Sequence, residues 1–306
     1  MPRYLELLKS GELRRRVVRG YEMLSSCRVC PRNCEVDRLK GEEGFCRTGV
    51  IPGVASVNLH QGEEPPITGD NGSGTVFFTY CNLKCIFCQN WPLSQQGVGN
   101  SMKVSTLAEK LVGLQKKGAK NINFVTPSHL VPQVIHTIYL AARKGLTIPI
   151  VYNTSGYDSE ESLRLLEGVV DVYLPDYRYS ENTMAKKISK AADYPDVVRK
   201  NLPVMLNQVG HFQQNGTIGG LIVRHLVLPN NVSGTEEVLT DIRKRLGEET
   251  HVSLMTQYFP ANKAIGHPLM GRKITETEAQ GAFDHLWDAG LTNGWVQEFE
   301  PCEPED

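Results

Sequence analysis

Long apolar runs are missing from this sequence. No stretch of its 306 residues reaches the roughly 18 apolar residues of a membrane-crossing helix, so no membrane span is expected. The amino end, MPRYLELLKSGELRRRVVRGYEML, is charged, reads as amphipathic helix and lacks the apolar core of a secretory signal. A cytoplasmic protein is the expectation. A charge of one sign is also missing: 33 Lys and Arg stand against 34 Asp and Glu, for a formal net charge of -1. Nonspecific nucleic-acid binding calls for a basic surface, so no nucleic-acid partner is expected. There is no internal repeat and no low-complexity stretch. Beyond residue 88 cysteine is nearly absent, with Cys302 alone in the tail EPCEPED, where an exposed thiol is expected.

What the chain does have is ordinary globular composition, 40% hydrophobic and 22% charged, and seven cysteines crowded between Cys27 and Cys88. Such clustering in a reducing compartment points to metal binding or chemistry rather than to a disulfide framework. The length suits one large α/β domain with an appendage. The division expected is residues 1–70, a helix and a four-cysteine segment with little apolar periodicity, then residues 71–306.

From residue 74 apolar runs alternate with amphipathic ones. Strands are expected at 75–80, 121–126, 148–154, 170–176, 221–229 and 252–259. Helices are expected near 105–117, 131–144, 159–167, 180–190, 195–209, 234–246 and 275–289. Apolar strands alternating with helices make a parallel sheet covered by helices. Six βα units fit an open sheet or an incomplete barrel, and both collect chemistry at the carboxyl ends of their strands.

At the first such end stands CNLKCIFCQN, with Cys81, Cys85 and Cys88 in C-x3-C-x2-C spacing. A cubane iron–sulfur cluster takes four thiolates, one per iron. Three leave one iron without a protein ligand, and zinc sites share the logic of an open position. The loop, including Phe87 before its last cysteine, resembles the cluster-binding motif of the radical S-adenosylmethionine (SAM) enzymes, over roughly residues 74–260. The resemblance implies a partial (β/α)6 barrel, a [4Fe–4S] cluster and SAM held by the open iron. It further implies an electron from a low-potential donor of flavodoxin or ferredoxin type, and release of a 5′-deoxyadenosyl radical. Ile86 and Phe87 suit the exclusion of water and oxygen.

Within that superfamily GSGTVFFTYCNLKCIFCQNW, YNTSGY, Asp176-Tyr177-Arg178 and IVRHLVLPNN are most similar to the activating enzymes of glycyl-radical enzymes, such as pyruvate formate-lyase activase. They look closer still to an uncharacterised branch related to these. The resemblance assigns SAM contacts by position. Thr126 and Ser128 replace a Gly-Gly-Glu-Pro-like motif, so the glutamate is missing, and Pro127 and Ser128 also read as a turn. Asn153 and Ser155 stand at the ribose position and are also ordinary turn residues. Asp176 and Arg178 replace Asp-x-Lys, or form an internal pair. Arg224 lies in an apolar strand, where a cation must be paired, with the SAM carboxylate or with an internal acid. His225 points to the opposite face by alternation and reads as structural, as do His129 and His211. Gln257 and Tyr258 line a cavity or pack the core.

Cys27, Cys30, Cys34 and Cys46 form a second set that can close a site by itself, for zinc or an auxiliary iron–sulfur cluster. Gly41 and Gly44 permit its turns. Three functions compete: radical chemistry on a protein or peptide glycine, the same chemistry on a small molecule, and electron transfer without catalysis.

Overall fold

The computed structural model describes residues 1–297 and 299; Cys302 lies outside the described residues. The strands are β1 (Gly53–His60), β2 (Ser73–Phe78), β3 (Asn100–Ser101), β4 (Ile122–Val125), β5 (Ile150–Thr154), β6 (Val172–Pro175), β7 (Gln213–Gln214), β8 (Ile218–Leu226), β9 (His251–Met255) and β10 (Gly294–Val296). They form one sheet in the order β10-β9-β8-β6-β5-β4-β2-β1-β3, with β7 hanging from β8. The seven strands from β2 to β10 along this order pair parallel. β1 and β3 pair antiparallel. Helices Val104–Lys116, Val131–Arg143, Glu160–Leu166, Asn182–Ser189, Tyr194–Val209, Thr235–Leu246 and Glu276–Asp288 fill the crossovers. This is the α/β architecture of a partial barrel.

Alternation along each strand sorts its residues. Tyr152, Tyr173, Phe124 and Val223 join the large core beneath the helices, whereas Val151, Val172, Leu174 and Ile222 form a smaller apolar cluster with Ile67 and Phe212.

Three features depart from the sequence expectations. The amino-terminal helix is two helices, Tyr4–Lys9 and Glu12–Glu22, broken at Ser10–Gly11. β1 was not expected. VASVNLH alternates weakly because most of its side chains are only half-buried, yet it pairs with β2 along Val54–His60. β10, three residues long, adds a seventh parallel strand after the last helix.

The β1–β2 connection has an unexpected course. After His60 the chain turns, and a short helix, Pro65–Thr68, places Ile67 among the inward side chains of β5, β6 and β8. Asn121 Nδ2 ties down the Ile67 carbonyl at 2.6 Å. The connection thus plugs the barrel and carries Glu63 and Glu64 up towards its interior.

Candidate active site

The carboxyl ends of the parallel strands surround a cavity of about 410 Å³, lined by Cys81, Cys85, Phe87 and Cys88 on one side and by Thr126, Asn153, Ser155, Asp176, Arg178 and Arg224 on the others. Gln257 and the unforeseen Glu63 also line it.

The cysteine wall follows β2. Tyr80 takes a left-handed backbone, φ 64°, an unfavourable conformation for a non-glycine residue and one that clusters at functional sites. The chain then turns into the Cys81–Cys88 loop. Its sulfurs receive donors: Leu83 N to Cys81 Sγ at 3.3 Å, Ser189 Oγ to Cys85 Sγ at 2.9 Å and Arg178 Nη1 to Cys85 Sγ at 3.0 Å, while Ser94 Oγ lies 3.2 Å from Cys88 Sγ. Ser189 had no signal in the sequence, because its helix approaches the loop only in the fold. Its carbonyl accepts from Lys84 N and that of Ile188 from Ile86 N. Burial, and then the Cys85 sulfur beside them, push the Cys81 thiol up to about 12 and the Cys88 thiol upward as well. Phe87 is buried and meets Tyr258 edge-on, ring centroids 6.0 Å apart. Tyr258 is core, its hydroxyl donating to the Met270 carbonyl at 2.6 Å.

Opposite stands a charged network. Arg224 donates through Nε to Asp176 Oδ1 at 2.8 Å and through Nη2 to Asn153 Oδ1 at 2.7 Å. Its Nη1 lies 3.9 Å from Glu64 Oε1. Arg178 grips Asp176 Oδ2 through Nε and Nη2, at 3.1 and 2.5 Å. Both guanidiniums thus have internal acid partners. Burial alone would raise the Asp176 carboxyl, but Arg224 and Arg178 outweigh it and hold it below its ordinary range. Asn153 Nδ2 donates to Glu63 Oε2 at 3.3 Å. Burial dominates at Glu63 and raises its carboxyl, with Arg224 opposing and Glu64 adding. Ser155 lines the cavity, its buried Oγ without a hydrogen-bond partner.

At the end of β4, Thr126 also takes a left-handed backbone, φ 56°, while its N–H donates to the Asn153 carbonyl at 2.8 Å. Ser128 departs from its expected place. It is fully buried, does not line the cavity, and shares its hydroxyl with Thr154 Oγ1 at 2.9 Å. The Pro127 turn carries it into the wall. His225 is structural: Nδ1 lies 2.6 Å from the Tyr177 carbonyl and Nε2 3.0 Å from Thr235 Oγ1. His211 is half-buried, with Nε2 3.8 Å from Glu249 Oε2. Glu63 and Glu64 were the residues sequence reasoning missed. The signal available was a pair of acids before Pro65-Pro66, after an alternating VASVNLH.

The second cysteine set lines a separate cavity of about 10 Å³ together with Arg32, Arg38 and His129. Cys27, Cys30 and Cys46 are buried and Cys34 half-buried. Burial, then Cys46, Cys27 and Cys34 nearby, raise the Cys30 thiol far above its usual range. His129 is buried and neutral, its pKa driven down to about 3 by burial, with Nε2 3.0 Å from the Thr79 carbonyl. The two sets are neighbours. Arg32, from between Cys30 and Cys34, donates through Nε to the Asn82 carbonyl at 2.8 Å and through Nη1 to the Lys190 carbonyl at 2.5 Å. Its guanidinium lies 3.8 Å over the Phe45 ring. Among the described residues, no three Cys, His, Asp or Glu side chains are grouped so as to hold a single metal ion, in either set. No helix among them is long and apolar enough to cross a membrane.

Residues 75–201 match the model of the radical SAM superfamily. An uncharacterized protein of Methanocaldococcus jannaschii, MJ0674, is 30% identical over 287 residues, covering 92% of this chain and 80% of that one. Among solved structures, HydG, a maturase of the [FeFe]-hydrogenase, aligns over 72% of this chain with a TM-score of 0.50 and 12% identity. Streptococcus suis SuiB bound to precursor peptide SuiA aligns over 72% of this chain, also at 0.50 and 12%. These two share the fold, and the chain spans about half of their length, 50% and 47%. The chain carries a radical SAM domain over residues 75–201, and the members of that superfamily hold a [4Fe–4S] cluster and cleave SAM by radical chemistry.

Proposed function

We propose that Cys81, Cys85 and Cys88 hold the cluster and that SAM completes it within the 410 Å³ cavity. One observation carries this reading: three thiols met by N–H and O–H donors face, across a single cavity, the Asp176–Arg178–Arg224 network and the unpartnered Ser155 hydroxyl. The donor set fits. Thiolates are the ligands iron–sulfur clusters take, and hydrogen bonds to their sulfurs tune reduction potential. When bound, cluster and SAM supply one-electron cleavage chemistry and a radical that takes a hydrogen atom. The chain's own residues bind and orient. Arg224 and Asn153 would receive the amino-acid end and the ribose, and Ser155 offers a donor with no competing partner. Phe87 and Tyr258 keep water from the cysteine wall.

The substrate we infer is a protein or peptide, with hydrogen taken from a glycine Cα as in the activating enzymes. Support comes from the segment that follows β9. Ala264 N donates to the Ile86 carbonyl, tying this segment to the cysteine loop, and Phe259 and Ile265 are exposed on it, 45% and 71%. Exposed apolar side chains beside a cavity suit a protein partner. A small-molecule substrate is the second reading, favoured by Glu63 and Glu64, whose carboxylates suit a compact cation. The electron would come from a flavodoxin- or ferredoxin-type donor. Cys27, Cys30, Cys34 and Cys46 are proposed as a second metal site.

The test is anaerobic reconstitution followed by SAM and a strong reductant. Formation of 5′-deoxyadenosine is expected, and an intact cluster that gives none sinks the enzyme reading. Peptides with a labelled glycine Cα then separate the two substrates. Label transfer into 5′-deoxyadenosine supports the peptide.

A further inference from the structure

We propose that Glu63 and Asn123, at the floor of the 410 Å³ cavity, receive an alkylammonium group of the substrate. The proposal rests on the reading that SAM is cleaved in this cavity, and deepens it by naming the chemical group that enters below SAM.

Position comes first. The cysteine loop follows the carboxyl end of β2, whereas the β1–β2 connection runs past the amino ends of the strands, its Ile67 among the inward residues of β5, β6 and β8. Glu63, on that connection, therefore enters from the opposite end and lines the cavity from below. On β4, Phe124 packs beneath the helices and Val125 lines the cavity, so by alternation Asn123 points inward with Val125.

Charge then selects the ligand. Arg178 and Arg224 are both engaged by Asp176, and Arg224 Nη1 also lies 3.9 Å from Glu64 Oε1. Glu63 enters no salt bridge among the described residues, and its hydrogen bond from Asn153 Nδ2 is a long one, 3.3 Å. Asn123 is fully buried beside Glu63 and steadies its charge slightly. Yet both Asn123 amide atoms lack a hydrogen-bond partner of good geometry, as does the buried Glu64 Oε2. Buried polar atoms without partners are costly, and an unpaired carboxylate among them calls for a cation.

A metal ion does not fit, because among the described residues no three Cys, His, Asp or Glu side chains are grouped to hold one. An ammonium does. It is a compact charge with three N–H donors on a methylene stem, and Phe77, Val125, Leu226 and Met255 line the same cavity, an apolar path for that stem. A lysine side chain of a peptide and a free amine share this chemistry.

The test reads binding. The chain is reconstituted anaerobically with iron and sulfide and titrated in a calorimeter, with and without SAM, with n-butylamine, n-butanol and butyrate. The amine is expected to bind about tenfold or more tighter than the alcohol or the acid, and Glu63→Gln to lose that preference. Equal binding of the three probes by wild type, or no binding of any at tens of millimolar, overturns the proposal. So does a Glu63→Gln protein that keeps the preference, including one that binds SAM more weakly, since Glu63 would then serve SAM. Should the variant fail to fold, the preference of wild type decides alone. An acetylated Gly-Lys-Gly amide against its Gly-Gln-Gly counterpart separates the sources. Discrimination for lysine, with tighter binding than n-butylamine, assigns the ammonium to a peptide; n-butylamine binding without it assigns a free amine. 5′-Deoxyadenosine is assayed separately, so a failure of SAM cleavage is distinct from a failure of amine binding.

Discussion

The two cysteine sets lie side by side, yet they are built as opposites. Cys81, Cys85 and Cys88 open onto about 410 Å³ shared with two carboxylates, Glu63 and Asp176, and two guanidiniums, Arg178 and Arg224. Cys27, Cys30, Cys34 and Cys46 enclose about 10 Å³ lined by two arginines, a neutral histidine and no carboxylate. The first set is borne by strand ends already fixed by a packed sheet. The second belongs to a segment whose backbone includes Asn33, Glu35 and Arg47 at φ 43°, 57° and 52°, conformations that persist only where something else holds them.

The sharpest way to break this comparison is to delete one thiol from each set. Cys85→Ala should abolish 5′-deoxyadenosine formation while the melting temperature stays within a few degrees, since β2 and its neighbours hold the loop. Cys30→Ala should unfold the segment and lower stability by more than about 3 kcal/mol. Calorimetry and product assay on both variants check this. Equal losses of stability would mean that both sets are structural.

Much of this contrast was legible from the chain itself. Both cysteine sets, Asn153, Asp176 and Arg224 stood out because strand ends and buried cations have sequence signatures. Glu63 and Glu64 did not, because a plug entering the barrel from the β1–β2 connection is a tertiary event. Ser128 misled for a related reason. A serine after proline shows that the chain turns, but not which way the hydroxyl then points. Ser189 and Arg32 act across 104 and 50 positions of sequence, on Cys85 and on the Asn82 carbonyl, distances at which single-sequence pattern carries no information.

A glycine at each site gives the next contrast. Gly156 has φ 78°, and a Cβ there would stand 2.8 Å from the Asp176 carbonyl oxygen. Gly156→Ala should cost roughly 2–4 kcal/mol, overpacking added to backbone strain, and displace the Asp176 wall. At Gly44 a Cβ would meet Cys34 Cβ and Sγ at 2.8 Å, a side chain with more room to give. Gly44→Ala should cost less, about 1–2 kcal/mol, and weaken metal retention without slowing SAM cleavage by the loaded protein. Denaturant midpoints and metal loss to a chelator measure the pair.

Arg32 joins the two regions. Arg32→Ala removes hydrogen bonds to the Asn82 and Lys190 carbonyls and the stacking on Phe45, worth about 1–3 kcal/mol together. Both sites should respond: metal leaves the closed site faster and the cleavage rate falls several-fold. Arg32→Lys should restore little, because one ammonium cannot serve two carbonyls and an aromatic face at once. A change at one site only would show the neighbours to be independent.

The smallest effect belongs to Glu63, and its sign is what matters. Burial raises the Glu63 carboxyl above its unfolded value, so the folded chain holds that proton more tightly than the unfolded one. Ionised Glu63 therefore costs stability at neutral pH, and the cost fades as pH falls through the raised value towards the ordinary one. Glu63→Gln keeps an acceptor for Asn153 Nδ2 and removes the charge. It should stabilise by less than about 1 kcal/mol at pH 7, with the gap to wild type closing on acidification, as urea midpoints between pH 4 and 8 would record. A variant less stable than wild type at pH 7 would mean that Arg224 already holds the Glu63 charge. The open cavity would then lack the surplus carboxylate that a cationic substrate needs, and the contrast with the acid-free closed site would narrow to size alone.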